Sequence, residues 1–197
     1  MFASAARADQ VRILALGDSL TAGYGLAQGD GFTDQLQRAL QADGYDVFVI
    51  NGGVSGDTTA GGLARLDWTL ADEPDMVIVE LGSNDALRGI DPAVSRANLD
   101  AILAELDKRR IPVLLAGMLA PRNLGNDYVT AFDGMYRDLA AAYRVPLYPF
   151  FLDGVAAEPE LNQADGMHPN AEGVAVIVEG IMPEITIMLD ALRQEGT

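Results

Sequence analysis

The sequence predicts an α/β protein, a three-layer sandwich on a five-stranded parallel sheet, and three observations carry that prediction. Short apolar runs recur along the 197 residues, segments of helical spacing separate them, and polar, glycine-rich stretches follow the runs. The first run, residues 11–16, ends in Gly17-Asp18-Ser19. Phe32, Leu36 and Leu40 then recur at i+4 and predict a helix. Residues 47–51 form the second run and 76–81 the third. Asp91-Pro92 supplies a capping side chain followed by proline at the first helical position, and Leu99, Ile102, Leu103 and Leu106 give that helix one apolar face. Residues 113–118 are the fourth run, 128–143 a further helix, and 145–148 a short fifth strand. Runs rich in Val, Ile and Leu without clean alternation suit strands covered on both faces. Over residues 171–192, Val174, Ile177, Val178, Ile181, Ile185, Met188 and Leu189 share one face, and Pro183 is expected to kink or divide this last helix. Residues 9–197 show no repeat, low-complexity tract or linker, which predicts a single domain.

Composition removes several functions. Thirteen basic residues against 29 acidic ones give a formal charge of −16, which speaks against a nucleic-acid partner. A solvated acidic surface is the ordinary reading, since no Asp-rich loop follows calcium-binding spacing. There is no cysteine, so disulfides, thiol catalysis and iron–sulfur clusters are excluded. No stretch reaches the roughly 18–20 apolar residues of a membrane span, so no stable membrane anchor is expected. At the N-terminus, Ala6-Arg7-Ala8 matches the small-x-small end of a secretory signal, with Asp9 as the first mature residue. Residues 1–8 therefore read as a signal-peptide remnant or a disordered terminus. A periplasmic or secreted location is expected, with the cytoplasm left open.

Elimination narrows the chemistry to acyl transfer. The only histidine is His168, in Asp165-Gly166-Met167-His168-Pro169, so the usual multi-histidine catalytic zinc site cannot be built. The only lysine, Lys108, lies in a helical segment and supports neither a Walker loop nor a Schiff base. The glycines after the strands do not form a dinucleotide fingerprint, and Thr21 at the last position of the Gly-x-Ser-x-Gly pattern removes an ordinary α/β-hydrolase elbow. A serine nucleophile needs a base, an orienter for that base, and donors for the tetrahedral oxyanion. Ser19 is the candidate nucleophile, His168 the base and Asp165 its orienter. The Ser19 backbone N–H would be free at a helix start. Gly56, in the segment after the second strand, lets its backbone approach a substrate closely, and Asn84, after the third, offers a carboxamide donor. Taken singly, each has a bland use: Ser19 as a helix cap, Gly56 as a turn glycine, Asn84 as a cap, His168 as a loop residue. In this order, on successive strand ends, they read as one site.

These blocks resemble the SGNH (GDSL) hydrolase family. Gly17-Asp18-Ser19-Leu20, Ser55-Gly56-Asp57, Gly82-Ser83-Asn84-Asp85 and Asp165-Gly166-Met167-His168-Pro169 are similar to its four blocks in order and spacing. Further stretches, Gly61-Gly62-Leu63-Ala64-Arg65-Leu66 and Val79-Glu80-Leu81-Gly82 among them, are similar to its bacterial periplasmic thioesterase, lysophospholipase and arylesterase members. The resemblance implies a flavodoxin-like fold and metal-free, cofactor-free hydrolysis of a small-molecule acyl ester or thioester. It implies Ser19 as nucleophile, Gly56 and Asn84 completing the oxyanion hole, and Asp165 and His168 completing the triad. It also implies that residues 85–90 form a mobile loop, and that Leu87, Ile90, Leu119, Leu124 and Met167 line an acyl groove. Two other readings stay in view. One is a carbohydrate deacetylase with the same machinery, disfavoured by sparse aromatic platforms, Trp68 being the only tryptophan. The other is a non-catalytic binding module on this fold.

Overall fold

The computed structural model describes residues 10–195, so the Ala6-Arg7-Ala8 pattern and the reading of residues 1–8 lie outside the described residues. Strands β1 (Val11–Gly17), β2 (Val47–Gly53), β3 (Met76–Glu80), β4 (Val113–Ala116) and β5 (Leu147–Tyr148) pair in parallel in the order β2-β1-β3-β4-β5. The helices are α1 (Ser19–Ala22), α2 (Phe32–Ala42), α3 (Thr59–Ala64), α4 (Leu66–Thr69), α5 (Ser83–Leu87), α6 (Pro92–Lys108), α7 (Asn126–Tyr143) and α8 (Ala171–Glu195). Helix α2 packs on α8, while α6 packs on α7 and α3, which gives two helical layers and a sheet between them.

Apolar composition and burial agree strand by strand. Every residue of β3 and β4 is buried, as is β1 from Ile13 onward. Edge strand β2 departs from the expectation. Val47 and Val49 are buried but Phe48 is 44% exposed, with the Arg12 guanidinium above its ring. With one neighbouring strand and less cover, β2 alternates as a half-buried strand does.

Capping and burial explain the long helices. The Asp91 carboxylate accepts from the Ala93 N–H at 2.9 Å, with Pro92 at the first helical position, and Leu99, Ile102, Leu103 and Leu106 are buried beneath α6. Pro183 does not divide α8, whose helical residues run unbroken through it. A mid-helix proline costs about 3 kcal/mol or more. Ile181, Ile185 and Leu189 are nearly fully buried on one side of that turn, at about 1.5–3 kcal/mol each, enough to carry the helix past it.

Strand order positions the site. The chain runs outward from β1 to β2 and returns to place β3 on the other side of β1, so the carboxyl ends of β1 and β3 flank a topological switch point, where such sheets bind ligands. Gly17 and Glu80 are register partners at that edge. A side chain at Gly17 would collide with Thr21 and Glu80, which is why the turn into α1 needs glycine there.

Candidate active site

Strand β1 delivers Ser19 to the sheet edge. Asp18 caps α1, its Oδ1 accepting the Leu20 N–H at 3.0 Å. Ser19 is therefore the first helical residue, and its own N–H has no acceptor among the described residues. The loop before α8 brings His168 across. Ser19 Oγ lies 2.9 Å from His168 Nε2, and His168 Nδ1 lies 2.6 Å from Asp165 Oδ2.

The Asp165 side chain turns back on its own loop, its Oδ1 accepting the N–H groups of Met167 and His168 at 3.0 Å each. Those two amides and the His168 ring lower its pKa to about 2. An ionised carboxylate only accepts, so Nδ1 carries the imidazole proton and Nε2 is left to take the serine's. The Tyr24 ring packs against the imidazole with centroids 4.7 Å apart. Gln163 fixes this corner by donating to the carbonyls of Tyr24 (2.7 Å) and Pro169 (2.9 Å).

Gly56 has φ +84°, the left-handed region that glycine enters without strain, and its N–H has no acceptor among the described residues. Its carbonyl accepts from Arg88 at 2.7 Å. Arg65 ties this turn to the first block. Its Nε pairs with Asp57 at 2.6 Å while its Nη2 donates to the Gly17 carbonyl at 2.9 Å. Asn84 is the second residue of α5, the short helix after β3, and its Nδ2 donates to Asp18 Oδ2 at 2.9 Å, beside the Ser83 hydroxyl, which donates to the same oxygen.

Beneath these loops the carboxyl groups of Glu80 and Asp18 are fully buried. Glu80, at the end of β3, accepts the Thr21 hydroxyl at 2.7 Å and the Asp18 N–H at 3.3 Å through Oε2, and its Oε1 has no partner. Burial first, then the neighbouring Asp18 charge, push its pKa well above the usual range. Burial also raises Asp18, opposed by its hydrogen bonds from Ser83, Leu20 and Asn84. Neither group drew attention in the sequence as a site residue. An acidic residue inside the apolar run of β3 was the signal for Glu80, since a buried charge needs a reason.

Ser19, Asn84 and His168 open onto a cavity of about 620 Å³. Leu87, Leu119 and Met167 line it as expected. Ile90 and Leu124 do not, and Gly56 stands outside the lining too. Helix α5 runs to Leu87 and turns the chain so that the Ile90 carbonyl is held by the Tyr128 hydroxyl at 2.8 Å, away from the cavity. Leu124 ends a 3-10 turn from Arg122 that leads into α7, and Arg122, not Leu124, reaches the wall. The lining also includes Leu20, Met118, Phe150 and Leu152, which the sequence reading missed. The segment expected as a mobile loop is anchored at its base. Buried Asp85 accepts from the Thr59 N–H (2.8 Å) and the Ser95 hydroxyl (2.8 Å), while Leu87, Arg88 and Gly89 are exposed. Among the described residues no three His, Cys, Asp or Glu side chains cluster to hold a metal, and no helix is long and apolar enough to cross a membrane.

Comparison with known proteins places these observations in a family. A family model described as GDSL-like lipase/acylhydrolase matches residues 15–176. The chain is 41% identical to Esterase TesA of Pseudomonas aeruginosa over 178 residues, 90% of this chain and 89% of that protein. It is 37% identical to thioesterase 1/protease 1/lysophospholipase L1 of Escherichia coli K12, over 88% of this chain and 82% of that protein. Among solved structures, AlinE4, an SGNH-hydrolase family esterase, superposes with a TM-score of 0.78 at 48% identity, covering 93% of this chain and 98% of the other.

Proposed function

This chain belongs to the GDSL-like lipase/acylhydrolase family and is a serine ester hydrolase of the esterase and thioesterase type, and on that premise we propose how it works. Ser19 is the nucleophile, His168 its general base, and Asp165 the group that orients the base. One observation supports this assignment above the rest: an unbroken hydrogen-bonded line from Asp165 through His168 to Ser19 that opens on an apolar cavity.

The cycle has two halves. Ser19 Oγ attacks the ester carbonyl carbon while its proton passes to His168 Nε2, and ionised Asp165 stabilises the imidazolium. The carbonyl oxygen, now negative, takes the N–H groups of Ser19 and Gly56 and one N–H of the Asn84 carboxamide. Collapse breaks the bond to the leaving group, which departs with the proton from Nε2 and leaves the acyl group on Ser19. Water then attacks by the same route and releases the acid. The cavity's size and its Leu, Met and Phe lining suit a short- to medium-chain acyl group, with Leu87, Leu119 and Met167 at its rim. The same lining weighs against a sugar-ester pocket. The Ala6-Arg7-Ala8 pattern supports export of one catalytic domain, and N-terminal sequencing of enzyme recovered from a periplasmic fraction checks that point.

The deciding experiment is hydrolysis of p-nitrophenyl esters from acetyl to dodecanoyl, with Ser19→Ala beside wild type. Turnover abolished in the variant, with an optimum among the short to medium chains, is expected. Equal turnover by both proteins would refute the assignment of Ser19.

A further inference from the structure

We propose that Asp18 is a positioning residue of the oxyanion hole: its buried carboxylate fixes which way the Asn84 carboxamide faces. This inference rests on the proposed role of Asn84 as an oxyanion donor. A carboxamide presents an oxygen at one end and an NH2 at the other, and rotation by half a turn exchanges them. Only one of those faces can help the reaction, because an amide oxygen turned to the developing oxyanion repels it. Asp18 Oδ2 settles the choice. A carboxylate accepts and cannot donate, so Nδ2 must face it, and it does so at 2.9 Å. One hydrogen of Nδ2 is spent on Asp18, and the second is left for the substrate.

Three features suit Asp18 to this task. Its side chain is fully buried, so water does not compete for Oδ2. Both carboxylate oxygens are tied down, Oδ1 by the Leu20 N–H at 3.0 Å and Oδ2 by the Ser83 hydroxyl as well as Asn84. None of the ion pairs among the described residues includes it, so it was not placed there to hold a cation. Glu80 holds the other side of the same turn by accepting the Asp18 N–H at 3.3 Å and the Thr21 hydroxyl at 2.7 Å. The residue next to the nucleophile thus reaches across the switch point between β1 and β3 and links Ser19 to Asn84. A negative charge close to the oxyanion carries an electrostatic cost, which orientation must outweigh.

The test is a mutant cycle with Asp18→Asn, Asn84→Ala and the double variant, read as kcat and KM on p-nitrophenyl butyrate. An asparagine at 18 that caps Leu20 with its oxygen turns its NH2 toward Asn84, whose oxygen then swings into the place of the donor. Loss of one oxyanion donor lowers kcat about 100- to 1000-fold, and Asp18→Asn is expected in that range with KM within about twofold of wild type. On the Asn84→Ala background it should cost almost nothing more, because the group it positions is gone. Asp18→Ser keeps a capping oxygen for Leu20 but cannot reach Asn84, and it should behave like Asp18→Asn if the latter fails to fold. In unsubstituted enzyme, NMR should find one Asn84 side-chain proton protected from solvent exchange and the other shifted when phenylboronic acid adds to Ser19. Full kcat in either folded Asp18 variant, a loss that multiplies with that of Asn84→Ala, or equal fast exchange of both protons would overturn the proposal. Full activity in Asn84→Ala itself would instead sink the assigned role of Asn84, a separate failure.

Discussion

Replacing Glu80 by glutamine should remove a pH-dependent weakness from the centre of the fold. Glu80 is fully buried, its Oε1 meets no partner, and burial together with Asp18 raises its pKa well above the usual glutamate range. In the unfolded chain the same group ionises near pH 4.3. Between the unfolded and folded pKa values, the folded protein holds a proton that the unfolded chain has released. Stability from this group is therefore fully present below the unfolded pKa and declines as pH rises. One proton of difference gives a slope of about 1.4 kcal/mol per pH unit, continuing until the folded group itself ionises. Glutamine keeps the shape and an acceptor for Thr21 and Asp18 but cannot titrate. Urea unfolding of wild type and Glu80→Gln should be measured from pH 5 upward in half-unit steps, and the difference in unfolding free energy taken at each. Every other side chain, Asp165 included, is the same in both proteins, so its contribution largely cancels in the difference. The slope of the difference is diagnostic, whatever its offset. A difference that stays constant across pH 5 to 7 would refute a raised Glu80 pKa.

Further outcomes concern the working parts. Asp165→Asn should lower kcat by roughly 10³- to 10⁴-fold through the wrong imidazole tautomer, and a loss below tenfold would contradict its orienting role. Asp165 also carries a pH signature of its own. Its pKa is depressed to about 2, so its contribution to stability is present above about pH 4 and lost as pH falls toward 2. Acid unfolding of Asp165→Asn should lack that component. Arg65→Lys keeps the charge but cannot reach both Asp57 and the Gly17 carbonyl. It should lower kcat at least tenfold and melt earlier, and wild-type kinetics would show that the bridge is dispensable. Leu119→Trp fills the cavity rim and should move the best p-nitrophenyl ester to a shorter acyl chain, with an unmoved optimum placing the acyl group elsewhere.

The sheet was legible because its physics is local. A run such as Met76-Val77-Ile78-Val79 has no polar face to show to water, and Asp91-Pro92 announces a helix start within two residues. The residues of the candidate site were legible because each sits in a short block, after a strand for Ser19, Gly56 and Asn84 and in the loop before α8 for Asp165 and His168, where side-chain chemistry and turn geometry coincide. What stayed hidden depends on contacts distant in sequence. Phe150 and Leu152 look like ordinary hydrophobic loop residues until β4 and β5 set them beside Leu119. Ile90 and Leu124 look equally apt for the groove, and only the hydrogen bond from Tyr128 to the Ile90 carbonyl and the 3-10 turn at Leu124 turn them away. The tie from Asp18 to Asn84 spans 66 positions, and that from Glu80 to Thr21 spans 59. Sequence alone gives Asp18 a capping role, which it does fill through Oδ1. Its second oxygen, free for a partner from another strand, decides whether the cap is also part of the site. A short polar side chain at a strand end has two or more acceptor positions, and local structure uses only one of them. The unused position is where long-range organisation of an active site enters, and it becomes visible only when the neighbouring strand is in place.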